Sequence, residues 1–263
     1  MHLQHFQLHS QPFSEHAAAI ALWQDERMKE GLARLDFLVA MGELGMVTGP
    51  TGVGKSALIK QFLSKLTPQQ CETVYCHLTH LPSAGLMKFI ATQLGESPRR
   101  GKDRVYEQIL ERARRTDGTL LLIFDEAHLL SSESLTDLRL LISSALDVGP
   151  ALKILLVGQD SFRGMVKRAQ HADLLNRVSV HFQLRPLGKL QTSQYVDFQI
   201  SQAGGDVKIF GDEVKELIHD FTGGLPRAIN NLAIACLLQA TASGAARVDE
   251  GIFRQAAAEF QLS

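Results

Sequence analysis

The sequence predicts an α/β fold, with a three-layer domain on a parallel five-stranded sheet followed by a small α-helical lid. Three observations predict it. Short apolar segments alternate with amphipathic ones between residues 45 and 184, the alternation stops after Pro186, and the stretches beyond carry helical periodicity alone. Segments that are apolar throughout read as strands covered on both faces, and strands that alternate with helices pair in parallel.

The strands are expected at Gly45–Thr48, Thr73–Leu78, Thr119–Asp125, Lys153–Val157 and Ser179–Leu184. Amphipathic helices are expected at Lys55–Leu66, Leu86–Leu94, Arg104–Arg114 and Ser132–Leu146. Past the boundary near Arg185–Gly188, helices are expected at Leu190–Gln202, Asp212–Phe221, Pro226–Thr241 and Asp249–Phe260. Asp212 and Asp249 read as N-caps, and Gly204–Gly205 and Gly223–Gly224 as breaks. The expected organisation is an N-terminal arm and first helix (1–30), a nucleotide-binding α/β domain (31–186) and a helical lid domain (187–263).

Composition narrows the function. The chain has 263 residues, 45% hydrophobic and 21% charged, with 21 Gly and 8 Pro, which excludes a collagen-like or low-complexity chain. A formal net charge of −1 excludes a polycation, so any nucleic-acid contact must come from a local patch. Three cysteines form no disulfide framework, and the odd count points to a reducing compartment. Cys71, Cys76, His77 and His80 lie close together, but no second ligand pair follows at zinc spacing and Cys76 sits in an apolar stretch. Met1–Ser14 has no apolar h-region, and the longest apolar runs, Leu120–Phe124 and Leu232–Leu238, fall far short of the ~20 residues that span a bilayer. A cytoplasmic protein without membrane contact is expected.

Five motifs carry the chemistry. The first is Gly49-Pro50-Thr51-Gly52-Val53-Gly54-Lys55-Ser56, followed by Ala57. It fits G-x-x-x-x-G-K-[ST] at every fixed position, follows an apolar strand and opens a helix. Glycines let successive backbone N–H groups curl around phosphate oxygens, and the helix N-terminus adds a favourable dipole. Lys55 supplies a point charge for the β- and γ-phosphates, and Ser56 a hydroxyl for Mg2+. The second motif is an apolar strand ending in Asp125-Glu126. It delivers two carboxylates to the C-terminal edge of the sheet, where such sheets bind ligands. Asp125 would hold the Mg2+ shell and Glu126 would act as general base on the attacking water.

Asp125-Glu-Ala-His128 also spells a helicase-like tetrapeptide, but a two-lobed helicase needs a second nucleotide-binding lobe, and nothing after Pro186 alternates strand and helix. The third motif puts Gln159 at the end of the fourth strand, where its amide can reach the γ-phosphate or the water. The fourth, Asp173-Leu-Leu-Asn-Arg177, places an arginine before the fifth strand, from which it could project into a neighbouring subunit's site. Arg163 and Arg168 compete for that role. In the fifth, Gly223-Gly-Leu-Pro-Arg227, Pro226 starts a helix and Arg227 sits at its N-terminus against the dipole. Reaching back to the γ-phosphate would explain a cation there.

These features, in this order, resemble the AAA+ ATPases, and nearly the whole chain resembles the branch typified by general secretion pathway protein A (ExeA). DNA-transposition ATPases of the TnsC and MuB type are similar. The resemblance implies a P-loop AAA+ fold, ATP with Mg2+, hydrolysis to ADP and phosphate, and a homo-oligomer in ring or helical-filament form. It implies Walker A for Gly49–Ala57, Walker B for Asp125–Glu126, sensor 1 for Gln159, arginine finger for Arg177 and sensor 2 for Arg227. The family's F-G-L arm reads Phe6-Gln7-Leu8 here, with Pro12-Phe13 after it, so a different local turn is expected at Gln7.

Full secretion-type members continue into a membrane span and a wall-binding region, whereas this sequence stops at Ser263 after the lid. The expectation is therefore a helper that works beside a transposase on duplex DNA without strong sequence preference. The alternative is a secretion-type ATPase remodelling a protein partner. A small-molecule kinase shares only the first motif. For DNA, Glu96–Asp117 holds seven basic and five acidic residues, and Arg99, Arg100, Lys102 and Arg104 are the expected contacts. Repeated along an oligomer, that charge would neutralise many phosphates with steep salt dependence.

Overall fold

The computed structural model describes residues 2–14, 22–67, 69–77, 80–146 and 152–260. The strands are β1 (Leu44–Thr48), β2 (Cys71–Cys76), β3 (Thr119–Phe124), β4 (Leu152–Gly158) and β5 (Val178–Gln183). The helices are α1 (His2–His5), α2 (Glu26–Met41), α3 (Lys55–Leu63), α4 (Ser83–Gln93), α5 (Lys102–Arg114), α6 (Ser132–Leu146), α7 (Ser161–Val166) and α8 (Ala172–Leu175). They continue with α9 (Lys189–Gln202), α10 (Asp212–Thr222), α11 (Pro226–Ser243) and α12 (Glu250–Phe260). Two compact units divide the chain, one of Met1–Glu26, Thr51–Ala57 and Arg185–Ser263, the other of Arg27–Pro50 and Leu58–Leu184.

The second of these units holds a five-stranded sheet in the order β2-β3-β4-β1-β5 with every pairing parallel. Side chains alternate across it, as the two-residue period of a strand requires. On one face Leu120, Leu122 and Phe124 of β3 join Leu86, Ile90, Ile109, Leu138 and Leu141 of α4, α5 and α6 in one apolar core. The opposite face carries α2, since a Cβ at Gly45 would collide with the Leu38 side chain and the Lys153 ammonium donates to the Leu38 carbonyl at 3.1 Å. Helices on both faces make the three layers expected of fully buried strands.

The other unit is helical, with a core of Val196, Ile200, Ile218, Ile229, Leu232, Leu237 and Phe253 from α9 to α12. The N-terminal arm joins this core and does not stand apart. Phe6, Leu8 and Phe13 are buried in it, the His9 N–H donates to the Ala203 carbonyl at 2.7 Å, and the Phe13 N–H donates to Gln199 Oε1 at 3.1 Å. Gln7 adopts φ 54°, a left-handed conformation that glycine takes without steric cost. A turn suited to glycine is therefore kept at Gln7.

Several expectations are corrected. Asp212 is not an N-cap: Gly211 fills that place, and the Asp212 carboxylate instead pairs with the buried Lys215 ammonium at 3.1 Å, beside Asp197 at 2.7 Å. Asp249 does cap, accepting from the Ile252 N–H at 2.9 Å. Strand β2 starts at Cys71, earlier than Thr73, and its expected end at Leu78 lies outside the described residues. Helix α5 starts at Lys102, earlier than Arg104.

Candidate active site

Strand β1 is buried at all five positions, and its C-terminal end opens directly into the loop 49–54. Thr51 and Val53 keep negative φ while Gly52 and Gly54 take φ 77° and 109°. Alternation of the two hands turns consecutive N–H groups toward one point, a concavity for anions. A Cβ at Gly52 would lie 2.9 Å from the Cβ of Arg227, so only glycine fits there. The loop ends where α3 begins, at the buried Lys55 and the exposed Ser56. An anion-binding turn running into a helix N-terminus, with a lysine at its base, suits a nucleotide triphosphate. At the end of β1 the Thr48 hydroxyl is buried with no hydrogen-bond partner among the described residues.

Strand β3 ends at Phe124 and delivers Asp125 to the same edge, nearly buried. Three groups hold this residue. Its N–H donates to the Cys76 carbonyl at 3.0 Å, Oδ1 accepts from the Glu126 N–H at 2.9 Å, and Oδ2 accepts from the Tyr75 hydroxyl at 2.7 Å. Burial, then the hydrogen bond to Asp125, pushes the Tyr75 phenol far above its ordinary value, so it remains a donor. Glu126 takes φ 52° and ψ 39°, a strained backbone for a non-glycine residue. A short 3₁₀ turn over Ala127–Leu129 follows and brings His128 Nδ1 to 3.2 Å from Glu126 Oε2.

Gln159 follows β4, which lies between β3 and β1. Because all three strands are parallel, Gly49, Asp125 and Gln159 leave one edge of the sheet on three adjacent strands. Arg177 precedes β5 and therefore lies at the opposite edge, where Nη1 contacts Glu43 Oε2 at 3.3 Å. Of its competitors, Arg163 is engaged with Gln183 at 3.1 Å and Arg168 is exposed. Arg227 stands in the first turn of α11, and its N–H donates to the Gly52 carbonyl at 3.1 Å. Arg227 thus sits against the backbone of the loop 49–54.

The four expected DNA contacts divide into two pairs. Arg99 is bound to Glu111 at 3.0 Å, and Lys102 to Glu133 at 2.8 Å and to Asp137 at 2.7 Å. Asp137 also accepts from the buried Ser83 hydroxyl, so Lys102 joins α4, α5 and α6. Arg100 and Arg104 are exposed. Sequence reasoning missed Tyr75, Glu43 and the buried Lys153. Pairing β2 beside β3 would have placed Tyr75 close to Asp125, because Cys76 aligns with Phe124.

The five-stranded parallel sheet with helices on both faces, and the helical unit beside it in sequence, make a fold of the P-loop AAA+ type. Residues 41–166 match the protein family described as AAA domain. The chain is 29% identical to general secretion pathway protein A of Aeromonas hydrophila over 98% of its own length, and it spans about half the length of that relative (48%). The fold is similar to that of Cdc6p from Pyrobaculum aerophilum, with a TM-score of 0.74 and 18% identity, covering 94% of this chain and 70% of that one. It is also similar to the Aeropyrum pernix ORC1 protein, solved in complex with DNA, with a TM-score of 0.63 and 18% identity over 90% of this chain and 66% of that one. Among the described residues no helix is long and apolar enough to cross a membrane.

Proposed function

We propose that this chain is an ATP-dependent DNA-binding ATPase that assembles as a homo-oligomer on duplex DNA and acts as a transposition helper in choosing the target. The observation that carries the reading is the shared edge, where the phosphate loop, the acidic pair and Gln159 leave neighbouring parallel strands. The amides of Gly49–Ala57 hold the phosphates, and Lys55 offsets charge on the β- and γ-phosphates. Ser56 and Asp125 would hold Mg2+, which when bound neutralises charge on the phosphate oxygens. Glu126 accepts a proton from the attacking water, and Gln159 orients that water. Arg227 couples the nucleotide to the helical lid through its contact with Gly52. Arg177, at the far edge of its own sheet, serves the site of a neighbouring copy.

For DNA, Arg100 and Arg104 offer exposed charge, and the ion pairs of Arg99 and Lys102 are partly exposed, so phosphates can compete for them. Backbone contacts of this kind read no sequence, which gives sequence-tolerant binding. The proposed location is the cytoplasm, where the three buried thiols stay reduced. A second reading, an ATPase that remodels a protein partner in secretion, is favoured by the identity to general secretion pathway protein A along nearly the whole chain.

A gel shift on a random-sequence duplex with ATP, with ADP and without nucleotide separates the two. The first reading expects a shift with ATP alone, lost in Lys55→Ala and prolonged in Glu126→Gln. Absence of any shift at low salt rejects DNA binding and leaves the protein-partner reading.

A further inference from the structure

The sheet edge away from the phosphate loop carries a polar cavity of about 530 Å3, with Glu43, Arg139, Asp173, Arg177 and Ser179 in its wall. Two arginine–carboxylate pairs line it: Arg177 with Glu43 and Arg139 with Asp173, each at 3.3 Å. The pairs differ in how they are mounted. Asp173 is 76% exposed and rises from the four-residue helix α8. Glu43 is fixed on both sides. Its N–H donates to the Ser179 hydroxyl at 3.0 Å, and its carbonyl accepts from the Ile154 N–H at 3.0 Å. The next residue, Leu44, pairs with Val178 in β5 and with Ile154 in β4. Glu43 and Arg177 therefore each precede one member of the Leu44–Val178 pair, just before the register of β1 on β5 shifts, and the Glu43 backbone is anchored on both sides.

The contact between them uses one guanidinium nitrogen, Nη1. A guanidinium carries five N–H donors in a rigid fork. Holding it by one nitrogen restricts where the group can go and leaves the other donors for a second anion. A long arginine side chain otherwise loses rotamer freedom when it engages such an anion. Pairing with a carboxylate whose backbone is anchored removes part of that cost beforehand.

We propose that Glu43 is a positioning residue for Arg177: it orients the guanidinium at the sheet edge so that its remaining donors meet the triphosphate bound by a second copy of this chain. The inference rests on the reading of Arg177 as a residue that acts on a neighbouring copy. Glu43 itself touches no nucleotide.

The test is steady-state ATP turnover by the full chain at saturating protein, with nucleotide affinity measured alongside. Glu43→Ala is expected to lower kcat about tenfold, as a misplaced catalytic group does, with KM and ATP affinity unchanged. Glu43→Gln keeps an oxygen that accepts from Nη1 and is expected to recover to within about twofold of the native rate. The double variant Glu43→Ala with Arg177→Ala should be no slower than Arg177→Ala alone. Native or raised kcat in Glu43→Ala, no recovery by Glu43→Gln, or a loss that adds to that of Arg177→Ala would overturn the proposal. Full turnover in Arg177→Ala would overturn the reading of Arg177 itself. Loss in Arg177→Ala with native rates in Glu43→Ala would overturn the role of Glu43 alone.

Discussion

The hydroxyl of Tyr75 donates to Asp125 Oδ2 at 2.7 Å, tying the C-terminal end of an edge strand to the carboxylate expected to hold Mg2+. The partner is nearly buried, so this hydrogen bond works in a poorly solvated setting where an unmade bond is costly. Tyr75→Phe keeps the ring and its tilted contact with His77, whose centroid is 4.4 Å away, and removes only the donor. Urea unfolding should show a loss of about 1–3 kcal/mol, and half-maximal turnover should need more Mg2+. The pH dependence has a defined sign. The folded-state phenol is raised far above its unfolded value, so its contribution is complete below about pH 10 and falls above it, as the unfolded chain ionises first.

Gly52→Ala should disable the phosphate loop. The residue sits at φ 77°, and its added Cβ would meet Arg227 Cβ at 2.9 Å. A left-handed alanine costs about 1–2 kcal/mol before any clash. Fluorescent-nucleotide titration should show at least a tenfold weaker affinity, on the order of the 1.4 kcal/mol that tenfold represents. Native affinity would mean that the loop tolerates a different backbone.

Lys153→Met should leave stability unchanged or raise it. The ammonium is buried inside the sheet layer, where burial lowers its pKa, and its partner is the Leu38 carbonyl. That carbonyl also accepts from the Gly42 N–H at 3.0 Å, so it keeps a donor in the variant. Replacing a buried charge by an apolar chain of similar length is often neutral or stabilising. Thermal melts of the two proteins decide it, and a marked loss of stability would show that the charge itself is needed.

All three thiols should resist labelling in the folded protein. Burial pushes Cys71 up to about 11, and Cys76 and Cys236 to about 12. At pH 8 the thiolate fraction is small and access is closed. A thiol reagent should modify none in the native state and all three in urea. The associated stability is full below the unfolded thiol value near 8.5 and declines as pH climbs above it.

Much of this fold was legible because its signals are local. The loop 49–56, the apolar strand before Asp125 and the span of α6 each rest on spacing within a single element. What escaped depends on lateral neighbours. Tyr75 and Asp125 are 50 residues apart, and Lys153 lies 115 residues from its carbonyl partner. Glu43 meets Arg177 because Leu44 of β1 pairs with Val178 of β5, and strand order is not written in either segment. Asp212 reads as an N-cap by residue type, yet Lys215, buried beside Asp197, claims its carboxylate and the cap passes to Gly211.

The most direct measurement is phosphate release by the native chain and by Glu126→Gln, with Mg2+ and ATP, with and without random-sequence duplex. Loss of the general base should slow turnover by on the order of 10²–10⁴ while nucleotide affinity stays native. Equal turnover in the two proteins would contradict the assignment of the acidic pair at the end of β3 as the hydrolytic centre.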